Sequence, residues 1–352
     1  MIRRHSCFNC SACCSSIYKI NEFFVEGVQA NTFRAFASNL DQKSPKYLLH
    51  ANALANLYGI DVDHTSAVIA WAMECYEKGI LTKKDTDGID LKWGNGKAVI
   101  ELIQQISFRK GFGDILAQGV YEASKIIGRG SEDYTVLSKH NALMEAAMRS
   151  HKGWALGILT STKGGGYLRG ATGQEFQKVL PELSKELFNI DDIQDPTSYD
   201  FKPELVVWQE RYKGIVDIMG ICASMSMWMD VTLFTPGDIA EFYYYITGES
   251  ISVEELMLIG EKLQTIERMF NLLHAGFGRK DDFPPKKLVE NPVTQGPYKG
   301  EKLDLVKFNE MLDKYYKLHK WDAETGCPTS ERLKELGLES IAKKVKEKMP
   351  DF

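Results

Sequence analysis

Lys46-Tyr-Leu-Leu-His-Ala-Asn-Ala-Leu-Ala-Asn-Leu-Tyr58, followed at once by Gly59, decides the fold class. Apolar residues recur there at the spacing of one helix face, and the glycine supplies a C-terminal stop. The same grammar repeats immediately in Ser66–Lys78, stopped by Gly79. Working outward, helical periodicity continues through Lys97–Phe108, Gly113–Ile127, Glu204–Met219, Pro236–Thr247, Val253–Leu273, Lys302–His319 and Ser330–Lys348. Several of these begin with a capping residue followed by acids, as at Ser252-Val-Glu-Glu255, which suits exposed helix N–H groups and the helix dipole. Strand signals are confined to Ile17–Ile20 and Tyr134–Leu137. Alternating βαβ spacing, a GxGxxG turn and a Walker loop are all missing from the sequence, which leaves Rossmann and P-loop readings little support.

The expected architecture is therefore mainly α, in two helical domains. The break Gly128-Arg-Gly-Ser-Glu-Asp133 separates residues 1–130 from 131–352, because glycine and short polar residues interrupt helical patterning. A second punctuated stretch, His274–Gly300, reads as a long irregular segment ahead of the C-terminal helices.

The chain has 352 residues and a formal charge of −5. That balance gives no global reason to expect nucleic acid or anionic lipid as a partner. Its longest apolar stretches, Ala67–Cys75 and Gly214–Trp228, fall short of the roughly 20 residues needed to cross a bilayer. Met1-Ile-Arg-Arg-His-Ser-Cys7 lacks the apolar core of a secretory signal, so a cytoplasmic, reducing location is expected.

Cysteine placement carries the chemistry. Of seven cysteines, four fall in Cys7-Phe-Asn-Cys10-Ser-Ala-Cys13-Cys14. An odd count with a tight N-terminal cluster argues for metal or cluster ligation over a disulfide framework. Two frames compete: Cys7/Cys10/Cys13 as C-x2-C-x2-C, and Cys7/Cys10/Cys14 as C-x2-C-x3-C. The bacterial ferredoxin pattern needs a cysteine at position 17, which is Ile17. Either frame then needs a remote fourth ligand. Zinc favours paired ligands and no second pair follows, so the spacing favours a [4Fe–4S] cluster over zinc. Cys75 sits on an apolar helix face and reads as core; Cys327 reads as part of a surface tail turn. His50, His64, His140, His151, His274 and His319 form no close pair, and Met219–Met229 reads as packing.

Beyond the cysteines, ordered matches extend almost to the C-terminus. Asn52-Ala-Leu-Ala-Asn-Leu-Tyr-Gly-Ile-Asp61, the run Ala67–Ile80, Gly111-Phe-Gly-Asp-Ile-Leu-Ala-Gln-Gly119 and Gly153-Trp-Ala-Leu-Gly157 are among them. So are Leu168-Arg-Gly170, Phe277-Gly-Arg-Lys-Asp-Asp282 and Trp321-Asp-Ala-Glu-Thr-Gly-Cys-Pro328. Together these stretches resemble the tungsten-dependent aldehyde ferredoxin oxidoreductase family, specifically its C-terminal domains. The resemblance implies a tungsten (or molybdenum) bis-pterin beside one [4Fe–4S] cluster. It selects Cys7, Cys10 and Cys14, with Cys222 as the remote ligand. It assigns pterin contacts to Asp217, Gly220 and Ile221 of Asp217-Ile-Met-Gly-Ile-Cys222. A companion motif, Asn56-Leu-Tyr-Gly-Ile-Asp61, gives Asn56, Gly59, Ile60 and Asp61, with Asn56 where the family has aspartate. Lys163 and Arg169 match basic positions that contact the cofactor.

Three departures follow from the same resemblance. The family's N-terminal, β-rich pterin domain has no counterpart here. The resemblance therefore implies a pterin-cradle domain or subunit on another chain, or a split or truncated enzyme. Asn31 stands where a glutamate is typical, and Tyr167 where a histidine is typical. Asparagine cannot take a proton as a carboxylate does, and a phenol with pKa about 10 is a weak acid. The implied reaction is oxidation of aldehydes to carboxylic acids with a ferredoxin-like electron carrier, with room for a homo-oligomer. Two further readings fit the departures. One is a subunit of a related tungsten enzyme reducing aromatic acyl-CoA; the other is a non-catalytic iron–sulfur electron-transfer or accessory protein.

Overall fold

A computed structural model describes residues 1–20, 23–143 and 146–348. The chain divides into two compact units, Met1–Met144 and Glu145–Phe352.

The first unit opens with a three-stranded antiparallel sheet, β1 (Arg3–His5), β2 (Ser15–Ile20) and β3 (Phe23–Val28), in sequence order. Helices follow: α1 (Ala30–Phe36), α2 (Pro45–Tyr58), α3 (Val62–Glu77), α4 (Gly96–Ser107), α5 (Phe112–Leu116) and α6 (Gly119–Ile127). A two-stranded ribbon, β4 (Leu137–Ser138) with β5 (Asn141–Ala142), closes the unit. Its core gathers Phe36, Leu40, Ile69, Met73, Cys75, Leu102, Ile103 and Phe112 from facing helices. Apolar residues three and four apart on each helix converge there, as an amphipathic pattern requires.

The second unit contains α7 (Lys152–Leu159), α8 (Pro181–Phe188), α9 (Lys202–Ile218), α10 (Pro236–Thr247) and α11 (Val253–Ala275). Then come α12 (Lys286–Glu290), α13 (Leu305–His319), α14 (Ser330–Glu335) and α15 (Glu339–Lys348). Helices α9 and α11 cross where Gly214 meets Gly260. A Cβ on Gly260 would stand 1.9 Å from the Arg211 carbonyl oxygen. The backbones can approach this closely only because neither residue carries a side chain. One cluster buries Leu205, Tyr212, Ile215, Met227 and Leu256, and a second joins Met269, Leu272, Cys327 and Leu333.

The chain is mainly helical, as the periodicity predicts, and the differences have local causes. Gly113–Ile127 is two helices, because Gly119 adopts φ +80°. Ser330–Lys348 is likewise broken, at Gly337 with φ +69°. Helix α13 starts at Leu305 and not at Lys302, because the Asp304 carboxylate accepts from the Val306 and Lys307 N–H groups. Of the expected strand Tyr134–Leu137, Tyr134 ends a 3-10 turn, Thr135 and Val136 are irregular, and only Leu137 lies in a strand, although the Val136 carbonyl accepts from the Leu143 N–H at 2.9 Å. The segment from His274 is less irregular than expected. Helix α11 runs to Ala275, α12 interrupts the loop, and Val293 and Glu301 tie its ends with a 2.9 Å backbone bond. Cys327 is 7% exposed and packs in the core, whereas the tail turn was expected at the surface. Among the described residues no helix is long and apolar enough to cross a membrane.

Candidate functional site

In the first unit the cysteine run forms the loop between β1 and β2. The Cys10 N–H donates to the Cys7 carbonyl at 3.1 Å, which folds the first two cysteines into one turn. Asn9 and Cys13 adopt φ +55° and +43°, a left-handed excursion that bends the loop sharply. Arg4 Nη1 donates to the Cys13 carbonyl at 3.4 Å, bracing the loop against β1. All seven cysteines are free thiols, with Cys7 and Cys14 exposed and Cys10 and Cys13 partly so. Among the described residues no three His, Cys, Asp or Glu side chains converge in a way that could hold a metal ion.

Asn31 lies on α1, directly after β3. Its neighbour Thr32 donates its hydroxyl to Asn52 Oδ1 on α2 at 2.8 Å. Asn52 and Asn56, one helical turn apart, both donate to the Glu26 carbonyl at 3.0 Å. Asn31 and Asn56 are thus carried by elements stitched together through β3. Helix α2 ends on Gly59 with φ +67°, and the Ile60 N–H returns to the Ala55 carbonyl at 3.1 Å. Asp61 then caps α3, accepting from the His64 N–H at 2.7 Å and lying 2.9 Å from its ring Nδ1.

The second unit repeats this turn. Helix α9 ends before Gly220, φ +71°, and the Ile221 N–H returns to the Val216 carbonyl at 2.9 Å. These are the bonds of a Schellman-type helix end. A Cβ on Gly59 or Gly220 would meet nothing within 4 Å. The glycines are therefore required by the backbone angle, and the turns stand open. The second turn presents the Asp217 carboxylate, the Ile221 backbone and the exposed Cys222 thiol side by side in sequence.

A glycine-rich loop, Thr162-Lys-Gly-Gly-Gly-Tyr-Leu-Arg169, faces that turn. Arg169 donates from Nη1 to Asp217 at 2.6 Å and from Nη2 to Glu267 at 2.6 Å. Lys213, one turn before Asp217 on α9, pairs with the same Asp217. Tyr167 sits among aromatic rings, with centroids 5.5 Å from Trp228 and 6.1 Å from Trp154. The indole N–H groups of Trp154 and Trp228 donate to the Ala146 and Ala171 carbonyls, which fixes both rings.

The site residues therefore fall into two groups. Arg169 and Asp217 are in direct contact, and Lys163 and Tyr167 share their loop. Cys7, Cys10, Cys14, Asn31 and the Asn56–Asp61 turn belong to the first unit, and Cys222 to the second. Periodicity and motif reading passed over Glu267, which reaches the loop from mid-α11. Only Lys213 left a readable signal, its i,i+4 spacing from Asp217.

Also unmarked in sequence is a polar interior. Glu210, Tyr315 and His319 are wholly buried together. The Tyr315 hydroxyl lies 3.0 and 3.1 Å from the two Glu210 oxygens, and His319 Nε2 lies 2.9 Å from Glu210 Oε2. Burial pushes Glu210 up to about 8 and His319 down to about 3. Both directions favour a neutral carboxyl beside a neutral imidazole. Glu210 also touches the loop region, since a Cβ on Gly170 would lie 2.8 Å from its side chain. Close by in sequence, Glu175 caps α7, accepting from Trp154 N–H at 2.5 Å and pairing with buried Lys202 at 3.0 Å.

Comparison with known proteins agrees with this architecture. Residues 1–338 match the family described as aldehyde ferredoxin oxidoreductase, domains 2 and 3. The chain belongs to that family. A tungsten-containing aldehyde ferredoxin oxidoreductase of Pyrococcus abyssi is 31% identical over 97% of this chain and 54% of its own length. The Thermococcus kodakarensis enzyme of the same name is 29% identical over 96% of this chain and 53% of its own. The WOR-like subunit of a Pyrococcus furiosus aliphatic sulfonate oxidoreductase is 29% identical, across 88% and 45%. The chain thus spans about half the length of the relatives it matches. The solved active-site complex BamBC of benzoyl coenzyme A reductase, with 1,5-dienoyl-CoA, superposes with TM-score 0.76 at 24% identity. It covers 98% of this chain and 54% of that one, a likeness of fold.

The donor types fit the tungsten–pterin cofactor of the family: two open helix-end turns offer backbone groups and carboxylates to a pterin edge, and Lys163 and Arg169 carry the charge that suits phosphate. Among the described residues the thiols do not converge into a metal-binding group.

Proposed function

We propose that this chain forms the C-terminal domains, or a C-terminal subunit, of a tungsten (or molybdenum) bis-pterin oxidoreductase with one [4Fe–4S] cluster. The complete assembly oxidises aldehydes to carboxylic acids and passes electrons to a ferredoxin-like carrier. The matched pair of helix-end turns carries this reading. They have the same backbone form, and the second joins a carboxylate, a backbone edge and a thiol within Asp217–Cys222. A β-rich pterin domain completes the cofactor site.

In this reading Asp217 and Ile221 hold one pterin, and Asn56, Ile60 and Asp61 the other. Asn56 supplies a neutral hydrogen-bonding amide in place of a charge. Lys163 and Arg169 hold phosphate. Cys7, Cys10, Cys14 and Cys222 ligate the cluster. Bound, the metal and its pterins supply two-electron chemistry that the protein only positions. Asn31 orients a water or carbonyl oxygen through its amide, and Tyr167 donates a hydrogen bond from its hydroxyl. A second reading, reduction of an aromatic acyl thioester on the same cofactors, is favoured by the partly exposed rings of Tyr167 and Trp228, which offer aromatic surface to a planar substrate.

Metal and pterin analysis of anaerobically purified protein, alone and co-expressed with a β-rich partner domain, tests the proposal. About four irons per chain, with tungsten and pterin present in the complex, is expected. Iron without tungsten or pterin under both conditions would favour an electron-transfer or accessory subunit. Zinc alone would overturn all of these readings.

A further inference from the structure

The loop Thr162–Arg169 is closed by one side chain, Glu267. Glu267 Oε2 accepts from the Thr162 hydroxyl at 2.5 Å, at the loop's beginning. Its Oε1 accepts from Arg169 Nη2 at 2.6 Å, at the loop's end. One turn further along α11, Asn271 Nδ2 donates to the Thr162 carbonyl at 2.6 Å, anchoring the same end to the same helix. Between these anchors lie three glycines, two of them with positive φ, Gly164 at +74° and Gly165 at +72°. Glycines lose more conformational freedom than other residues when ordered, so this stretch resists ordering unless its ends are held.

The charge arrangement sharpens the point. Arg169 divides its guanidinium between Asp217 and Glu267, and Asp217 is itself shared with Lys213. Arg169 and Glu267 are each only about one quarter exposed, 27% and 23%, so solvent screens this pair less than a surface pair. Asp217 fixes where the guanidinium points but touches only the loop's end. Glu267 contacts both ends and therefore sets the loop's span, the geometry of a short loop with pinned ends.

We propose that Glu267 is a positioning residue that clasps the Thr162–Arg169 loop shut, so that Lys163 and Arg169 are presented together as an anion-binding pair. The role of the two basic residues rests on the cofactor reading above; the clasp itself does not. Glu267 acts on the ligand only through Arg169 and the loop.

Trypsin reads the clasp directly on the full chain, because it cuts after Lys163 and after Arg169, and its specificity pocket must take the Arg169 guanidinium away from both carboxylates. Glu267→Gln keeps the size of the side chain but loses its charge and one acceptor. Cleavage after Lys163 and Arg169 is expected to accelerate by roughly tenfold, with other tryptic sites and the melting temperature unchanged. Unaltered cleavage at both bonds would overturn the clasp. Should Glu267→Gln speed cleavage throughout the chain, Thr162→Val decides, since it removes one clasp bond and leaves every charge in place. Acceleration confined to the loop then supports the proposal, and none overturns it. Pyrophosphate added to the wild-type chain tests the cofactor reading separately. It is expected to protect both bonds further. Without protection the anion-binding role of Lys163 and Arg169 fails, while the Glu267→Gln result still stands for the clasp.

Discussion

Glu210 shows how far burial can override a residue's ordinary chemistry. Its carboxyl is pushed up to about 8 because no water reaches it, and the imidazole beside it is pushed down to about 3 for the same reason. The two shifts have opposite consequences for stability. Glu210 binds a proton when folded and loses it when unfolded above about pH 4.5, so its contribution falls as pH rises toward 8. His319 is neutral when folded and protonated when unfolded below about 6.5, so its contribution falls as pH drops from there toward 3. Between about 4.5 and 6.5 the slopes oppose each other, and above 6.5 only the glutamate acts. Wild-type protein is therefore expected to lose on the order of 1–2 kcal/mol between pH 6.5 and 8. Glu210→Gln cannot ionise, and it should remove this loss. Urea unfolding of both proteins at pH 6 and pH 8 checks this; equal pH sensitivity would show that Glu210 is already ionised when folded.

At the scale of elements, glycines serve two different ends, and substitution separates them. Gly220 terminates α9 at φ +71° with open space around it, so Gly220→Ala costs only the left-handed backbone, about 1 kcal/mol. Gly260 is a packing glycine, and a methyl there meets the Arg211 carbonyl oxygen. Gly260→Ala must push α9 and α11 apart, at a cost of roughly 1–3 kcal/mol toward the upper end. Because α9 carries Asp217 and α11 carries Glu267, Gly260→Ala should also loosen Arg169, visible as faster tryptic cleavage after it. Denaturant titration of the two variants ranks the costs; a larger loss for Gly220→Ala would contradict the packing assigned to the crossing.

At the scale of the whole molecule, the proposed cluster ligands are Cys7, Cys10, Cys14 and Cys222, and single substitutions test each assignment. Cys222→Ala is expected to lose the cluster's brown absorbance and most of its iron, while Cys13→Ala keeps both. Iron retained in Cys222→Ala would exclude the mid-chain thiol as a ligand. Iron lost in Cys13→Ala would shift the ligand frame to C-x2-C-x2-C.

The sequence by itself determined the mainly helical class, most helix positions and the two turns ending at Asp61 and Cys222. These depend on local properties: one-face periodicity, a glycine able to adopt positive φ, and a capping oxygen a few residues from its N–H. The proposed cofactor residues rest on family resemblance, which reads short motifs. Only the tertiary structure decided which charges meet. Arg169, Asp217 and Glu267 are separated by dozens of residues, and no local rule pairs them. The buried Glu210–Tyr315–His319 group was equally silent, since glutamate and histidine on helices read as surface residues until packing removes their water. The β1 and β3 strands were missed for a related reason. β1 has only three residues and Phe23–Val28 does not alternate apolar with polar, and both exist because β2 supplies their hydrogen bonds.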